Sequence, residues 1–297
     1  MKLTWLPDAE VRPRRIAIGT FDGVHRGHRE VIAGADTVLT FDPHPSLVVH
    51  PESSPRLLTD LDRKAALVAE LGVQEMVVIP FDGAFSKQTA QEFIDHVLIE
   101  KLGATHVCVG DNFHFGAKAQ GDAAMLAADG RFEVRIAPLI EVGGLPVSST
   151  RIRKLLRDEG DVRQAAELLG SPFELTGMVV HGDKRGRELG FPTANIVPDE
   201  RFVTPAHGIY ACRTGQGRAA AVSIGVRPTF QTGRGVLIEA YVLDYSADLY
   251  GQEITLTFVD RLRGELKFDG IEPLIEQMNL DVAQTRLAVP VGDASGA

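Results

Sequence analysis

Two histidines, His25 and His28, close the stretch Gly19-Thr20-Phe21-Asp22-Gly23-Val24-His25-Arg26-Gly27-His28, which follows directly on the apolar run Ile16-Ala17-Ile18. A short strand that runs into glycines, histidines and a helix start is the pattern of a phosphate-handling loop. Gly23 and Gly27 let backbone N–H groups approach an anion, and the N-terminus of the following helix adds partial positive charge. His25 and His28 can donate to the same anion.

Three further stretches end predicted strands in the same way. Thr40-Phe41-Asp42-Pro43-His44-Pro45 sets Asp42 and His44 about a proline, although a plain proline turn reads the same. Gly110-Asp111-Asn112-Phe113-His114-Phe115-Gly116 offers Asp and Asn to orient a ribose, a metal or a planar ring, with aromatics to stack on it. An Asx turn with packed phenylalanines is the plainer alternative. Ser148-Ser149-Thr150-Arg151-Ile152-Arg153 opens a helix with hydroxyls and two arginines, which suits a triphosphate by charge and dipole, or else a simple cap with solvated arginines. In an open parallel sheet, ligands bind outside the carboxyl ends of the strands, so four such loops on one edge converge on a nucleotide.

The second half carries a different set. Gly182-Asp183-Lys184-Arg185-Gly186-Arg187-Glu188-Leu189-Gly190 is a glycine-rich basic loop, followed at once by Phe191-Pro192-Thr193-Ala194-Asn195. Its glycines and cations can wrap phosphates, and Thr193 with Asn195 offers hard oxygens to Mg²⁺. Glu239 lies in the β run Ile238-Glu239-Ala240-Tyr241-Val242, where alternation alone puts it on the solvated face. No G-x-x-x-x-G-K-[ST] occurs, so a kinase here is not of the P-loop type. Gly215-Gln216-Gly217-Arg218-Ala219-Ala220 fits a dinucleotide pattern but joins two short strands without a helix, and reads as a hairpin turn.

These residues need two kinds of scaffold. From Arg15 to about Ala137, apolar runs (Ile16 to Gly19, Thr37 to Thr40, Glu75 to Ile79, His106 to Gly110, Glu133 to Ala137) alternate with segments of helical period, notably Leu61 to Leu71 and Thr89 to Leu98. That alternation predicts an α/β domain with a parallel sheet. Helices from Ser149 to about Leu156 and from Asp161 to Leu169 follow, and the stop Gly170-Ser171-Pro172 is the expected boundary between domains 1–170 and 171–297. After it come short runs between Gly, Pro and Asp turns: Glu174 to Val180, Gly208 to Arg213, Ala219 to Ile224, Leu237 to Leu243 and Glu253 to Val259. They predict a small antiparallel barrel, closed by a helix from about Ile271 to Leu287.

Composition fits. At 297 residues two domains are expected, and 44% hydrophobic with 24% charged residues is a globular balance. The net charge of -9 argues against a nucleic-acid or anionic-membrane binder. No apolar run approaches a membrane span and the first residues lack a signal-peptide core, so the cytoplasm is the expected compartment. Cys108 and Cys212, far apart and without metal-ligand spacing, read as reduced, buried thiols.

In their order these motifs resemble those of the prokaryotic bifunctional riboflavin kinase/FAD synthetase family, from about Arg15 to Arg286. Gly19 to His28, Thr40 to Pro45, Gly110 to Gly116 and Ser148 to Arg153 look like its adenylyltransferase motifs. His181 to Ile196, Ser223 to Phe230 and Glu239 to Gly251 look like those of its flavokinase module. The resemblance implies a Rossmann-like α/β nucleotidyltransferase domain with a parallel sheet, then a six-stranded antiparallel flavokinase β-barrel with one helix. It implies conversion of riboflavin to FMN with one ATP and of FMN to FAD with a second, both with Mg²⁺, in a monomer or transient homo-oligomer.

In the kinase step the nucleophile is a weakly acidic ribityl hydroxyl, and the family assigns its base to the glutamate matched by Glu239, against the solvated-face reading. Gly182, Lys184, Gly186, Gly190, Thr193 and Asn195 match the kinase's ATP site, with Thr193 and Asn195 at the metal. In adenylyl transfer the FMN phosphate is already ionised, so the site has only to neutralise the triphosphate as pyrophosphate leaves. Gly19, Phe21, Gly23, His25, His28, Ser149, Thr150 and Arg153 match that role, His25, His28 and Arg153 as the catalytic cations or donors. Asp42, Pro43, His44 and Asn112 match the ribose, base or flavin contacts. One departure is visible: only eight residues, Arg29 to Asp36, separate His28 from Thr37, where the family has a longer helix and connection. The alternative expectation is therefore a riboflavin kinase whose FAD synthesis is impaired by the shortened crossover.

Overall fold

Alternate residues of the first strands enter opposite hydrophobic layers. Ile16 and Ile18 pack with Leu39, Val77, Phe93 and Val97 on one side, while Ala17 packs with Val38, Met76, Val31 and Val68 on the other. Strands buried on both faces make the central layer of an α/β/α sandwich. The computed structural model of the protein describes residues 1–182, 190–226 and 236–290, and it groups into two units, Met1–Ser149 and Thr150–Ala297.

In the first unit six parallel strands, β1 (Lys2–Trp5), β2 (Arg14–Ile18), β3 (Thr37–Asp42), β4 (Glu75–Pro80), β5 (Ala104–Gly110) and β6 (Glu133–Ala137), lie in the order β1-β4-β3-β2-β5-β6. The order reverses between β2 and β5, so the crevice for a ligand lies at their carboxyl ends. Helices α1 (Arg26–Ile32) and α2 (Leu61–Ala69) cover one face. On the other face lies a helix that begins at Ala90–Glu92 and continues with π-type bonding through Phe93–Lys101.

The edge strand β1 has no counterpart in the sequence reading, because four residues with one apolar-to-polar alternation carry no periodic signal. A buried ionic cluster fastens it: Thr4 Oγ1 donates to Glu75 Oε1 at 3.0 Å, and Arg14 Nε (3.0 Å) and Arg12 Nη2 (2.7 Å) donate to Glu75 Oε2. Burial acts most strongly on this carboxyl and raises its pKa, but the bonds from Arg14, Arg12 and Thr4 together outweigh it and hold Glu75 below the usual range. A carboxylate whose folded pKa is depressed contributes stability above its unfolded pKa of about 4.3 and loses it as pH falls through the folded value. Glu75→Gln is therefore expected to lower the melting temperature at pH 7, by leaving the buried Arg14 uncompensated at a cost of about 3 kcal/mol. The deficit should shrink as both proteins are melted at pH 4 and below.

The second unit is a closed barrel of six antiparallel strands. They are β7 (Glu174–Val180), β8 (Ala194–Pro198), β9 (Gly208–Thr214), β10 (Ala219–Val226), β11 (Val236–Val242) and β12 (Glu253–Arg263), in the order β7-β8-β11-β10-β9-β12. Five of these were readable as β-branched runs; β8 was not, because prolines flank it and Asn195 interrupts it. The closing helix, Ile271–Ala288, packs Val282 and Ala288 on the outer face of the barrel with Ala211, Tyr241 and Leu243.

The segments Ser149–Lys154, Leu155–Glu159 and Val162–Leu169 precede the Gly170-Ser171-Pro172 stop, yet from Thr150 onward they group with the barrel. Hydrogen bonds explain why. Ala206 N donates to Leu156 O (2.8 Å), Arg261 Nη1 to Glu159 O (2.8 Å), and Arg163 pairs with Asp260 at 2.7 Å. The stop ends a helix without ending the packing. Cys108 and Cys212 are free and buried, and burial raises both thiol pKa values.

Candidate functional site

The loop after β2 is held by its own backbone and by Asp22. Asp22 Oδ1 accepts from Leu58 N (2.8 Å) and Thr59 N (3.2 Å), and Asp22 O accepts from Ser149 Oγ at 3.0 Å. These contacts fix a turn in which the buried Phe21 (φ 49°) and Val24 (φ 40°) take left-handed conformations. For bulky residues that costs on the order of 1–3 kcal/mol each and persists only where the surroundings enforce it.

Two of the loop's glycines serve rings. A Cβ on Gly19 would come within 3.0 Å of the Phe21 ring, and one on Gly27 within 3.2 Å of the His25 ring. His25 and His28 stack with centroids 3.5 Å apart, and Phe21 meets His28 edge-on at 5.4 Å. His25 is also the N-cap of α1, its Nδ1 accepting the His28 backbone N–H at 3.2 Å. An accepting Nδ1 places the ring proton on Nε2, so the cap fixes the tautomer that leaves an N–H donor on the far side of the ring.

The neighbouring strand ends carry the other predicted residues. β3 lies beside β2 in register (Ile18 opposite Leu39), and its end presents Asp42, Pro43 and His44. His44 caps the short helix Pro45–Val49: its Nδ1 accepts from Ser46 N (3.2 Å) and lies 2.7 Å from Ser46 Oγ. β5 lies on the other side of β2 (Ala17 opposite Cys108), and Asn112, two residues past its end, is exposed. Gly19, Phe21, Gly23, His25, His28, Asp42, Pro43, His44, Asn112 and Ser149 thus belong to one unit and the strand-end residues share one sheet edge. Thr150 and Arg153 lie on a helix whose residues beyond Ser149 group with the barrel.

Sequence reading missed Lys64. It is buried (6% exposed) on α2, with Nζ 3.4 Å from Thr40 Oγ1, which in turn donates to Thr20 O at 3.1 Å. Burial pulls its pKa down, while Asp22, Asp42 and Asp60 push it back up. It sets a positive charge among three carboxylates beneath the loops after β2 and β3. The signal was available: Lys64 occupies the position between Leu61 and Val68 on the apolar face of its helix, where a charge needs a partner.

In the barrel, register assembles the second set. Asn195 on β8 pairs with Glu239 on β11, and Glu239 pairs with Ser223 on β10, so three polar side chains form one row across adjacent strands. Ile238 and Ala240 are buried on the opposite face, so Glu239 stands on the barrel's outer face as alternation predicted. It is nonetheless half-buried, because the incoming chain covers this row: Phe191 packs edge-on against Tyr241 at 5.4 Å, and Asn195 is only 6% exposed.

Among the described residues the Asn195 side chain shows no hydrogen bond, while its backbone belongs to the ladder with β7 and β11. A buried amide is normally hydrogen-bonded, and a bound ligand can supply a partner. Gly182 makes room for it, since a Cβ there would overlap the Asn195 side chain. Gly182→Ala is expected to displace Asn195 and raise the KM for ATP in any kinase reaction by about tenfold or more, equivalent to the ~1.4 kcal/mol of one hydrogen bond. Steady-state titration of ATP checks it. Thr193, half-buried, leads into β8, and Gly190 has φ 85°. Lys184 and Gly186 lie outside the described residues.

Among the described residues no group of three or more His, Cys, Asp or Glu is placed to hold a metal. A divalent ion here would be carried mostly by nucleotide phosphates and water, with one or two protein oxygens. The buried amide of Asn195 and the hydroxyl of Thr193 fit that donor set.

A Rossmann-like sheet with a histidine loop at its switch point, joined to a closed barrel with a polar row, is the architecture of a two-domain nucleotide-dependent transferase. Family models agree in both halves: FAD synthetase matches residues 8–151 and riboflavin kinase residues 169–289. The chain belongs to the bifunctional riboflavin kinase/FMN adenylyltransferase family. It is 41% identical to the family's protein from Listeria monocytogenes, with 91% of each chain covered, and 37% identical to that of Escherichia coli K12, again with 91% of each covered. A solved structure described as a macrolide-efflux protein from Streptococcus pneumoniae matches with a TM-score of 0.86 at 30% identity, over 96% of this chain and 99% of that one. Among the described residues no helix is long and apolar enough to cross a membrane.

Proposed function

We propose that the protein phosphorylates riboflavin to FMN at the barrel and adenylylates FMN to FAD at the edge of the parallel sheet, each step taking its own ATP and Mg²⁺. The observation that carries this reading is the register that sets Glu239 beside Asn195, because it joins a carboxylate to a buried amide on adjacent strands. In the kinase step Glu239 accepts the proton of the ribityl 5′-hydroxyl as its oxygen bonds to the γ-phosphorus of ATP and ADP leaves. Asn195 and Thr193 hold the Mg²⁺–phosphate group, and Gly182 keeps Asn195 in place; Lys184 and Gly186 of the adjoining loop belong to the same phosphate site. The bound Mg²⁺ offsets phosphate charge.

In the second step an FMN phosphate oxygen attacks the α-phosphorus and pyrophosphate departs. No base is needed. The His25 Nε2–H, the His28 ring and the N-terminus of α1 stabilise the charge that builds on the leaving oxygens, with Ser149, Thr150 and Arg153 contributing hydroxyls and a cation. Asp42, His44 and Asn112 contact ribose, base or flavin.

Incubation with riboflavin, ATP and Mg²⁺, followed by chromatography of the flavins, is expected to show FMN and then FAD. Supplying FMN and ATP alone tests the second step by itself. Absence of FAD in that arm would leave a kinase only.

A further inference from the structure

The crossover from β2 to β3 is short. α1 has seven residues and so rises about 10 Å, whereas the five residues of β2 run about 16 Å. The helix covers only the carboxyl part of the sheet face it lies on. Behind its last turn a cleft of about 190 Å³ opens, with Ala33, Gly34, His106, Cys108, Glu133 and Arg135 in its lining.

A helix end normally leaves its last carbonyls to a following turn, a capping residue or water. Here one guanidinium from β6 takes them. Arg135 Nη2 donates to Glu30 O at 2.9 Å, Val31 O at 3.2 Å and Ala33 O at 2.7 Å, and its Nη1 reaches Glu30 Oε1 at 3.4 Å. The Ile32 carbonyl is taken by Ala35 N at 3.0 Å, so the end of the helix is accounted for group by group. A cation at this position also opposes the negative end of the helix dipole.

We infer that Arg135 is a positioning residue for adenylyl transfer. It clamps the carboxyl end of α1, and a helix of two turns passes any tilt at one end directly to the other. That other end carries His28 and is capped by His25, whose stacked rings are set by the helix start. A longer helix would be held along its length by packing; this one packs through Val31 and Ile32 only, with Arg29 Nε on Val24 O at 3.1 Å, and its two ends are fixed by the His25 cap and the Arg135 clamp. The inference rests on the reading that the His25–His28 end handles the triphosphate.

The test is Arg135→Met in the full chain, with both reactions measured on the same preparation. The kcat for FAD formation from FMN is expected to fall about 10- to 100-fold, the range that small misplacements of catalytic groups produce. Riboflavin phosphorylation should stay within about twofold, and Arg135→Lys should recover part of the loss because an ammonium can still donate to these carbonyls. Amide hydrogen exchange should quicken over residues 29–33 and stay unchanged in β2 and β5. An unchanged kcat for FAD formation in Arg135→Met overturns the inference. So does a loss accompanied by faster exchange throughout β2 and β5, which would make Arg135 a general stabiliser of the unit. If the unmodified protein makes no FAD, the adenylyltransferase reading fails instead, and exchange over residues 29–33 still tests the clamp.

Discussion

Glu239→Gln is expected to abolish FMN formation from riboflavin while FAD formation from supplied FMN continues at its original rate. The substitution keeps the side chain's shape, so the row with Asn195 and Ser223 and the cover formed by Phe191 over Tyr241 remain. What it removes is the proton acceptor. A primary hydroxyl is a poor nucleophile until its proton has somewhere to go, and a positioned base contributes roughly 10²- to 10⁴-fold, so kcat should fall by that factor with the KM for ATP little changed. Asn195→Ala should behave differently, because it removes a phosphate or metal contact and spares the base: the KM for ATP should rise more than kcat falls. Steady-state kinetics of the two variants separate the roles. A Glu239→Gln protein that phosphorylates riboflavin at the normal rate would sink the base assignment.

The parts of this molecule legible in the sequence are those with local causes. The strands β2 to β5 announce themselves because their centres are buried on both faces, and the helices because their apolar positions recur with helical period. The loops after β2, β3 and β5 were located for the same reason: a strand end is a local event. What escaped has non-local causes. β1 is a strand only because Glu75, seventy-one residues away, anchors Thr4. β8 looks like a proline turn until it is paired with β7 and β11.

Glu239 shows how a rule can be right and its inference wrong. Alternation placed it correctly on the outer face, but exposure did not follow, because Phe191 packs on that face against the neighbouring Tyr241. Lys64 and Arg135 were not singled out in the sequence. The first is buried where three carboxylates from separate segments offset its charge, and the second finds its partners on a helix more than a hundred residues upstream. The short crossover was legible as a number of residues. Its remedy, a guanidinium across the sheet, was not.

His25→Asn should cost about 10²- to 10³-fold in FAD formation, the usual consequence of removing one donor aimed at developing negative charge. Asparagine is among the preferred N-cap residues, so it can accept the His28 backbone N–H that Nδ1 accepts now, and α1 keeps its start. It cannot supply the donor on the far side of the ring, nor stack on His28 at 3.5 Å. His25→Ala removes the cap as well and should add about 1 kcal/mol of destabilisation to α1. The pair of variants therefore separates the two tasks that one ring performs. Equal losses of FAD formation with unequal helix stability, the latter read by amide exchange over residues 26–32, identify the Nε2 proton as the functional element. If His25→Asn retains full activity while His25→Ala loses it, the ring serves only to cap the helix, and charge neutralisation falls to His28 and the helix dipole. Riboflavin phosphorylation, carried by the barrel, should be the same in both variants and provides the internal standard against which the losses are measured.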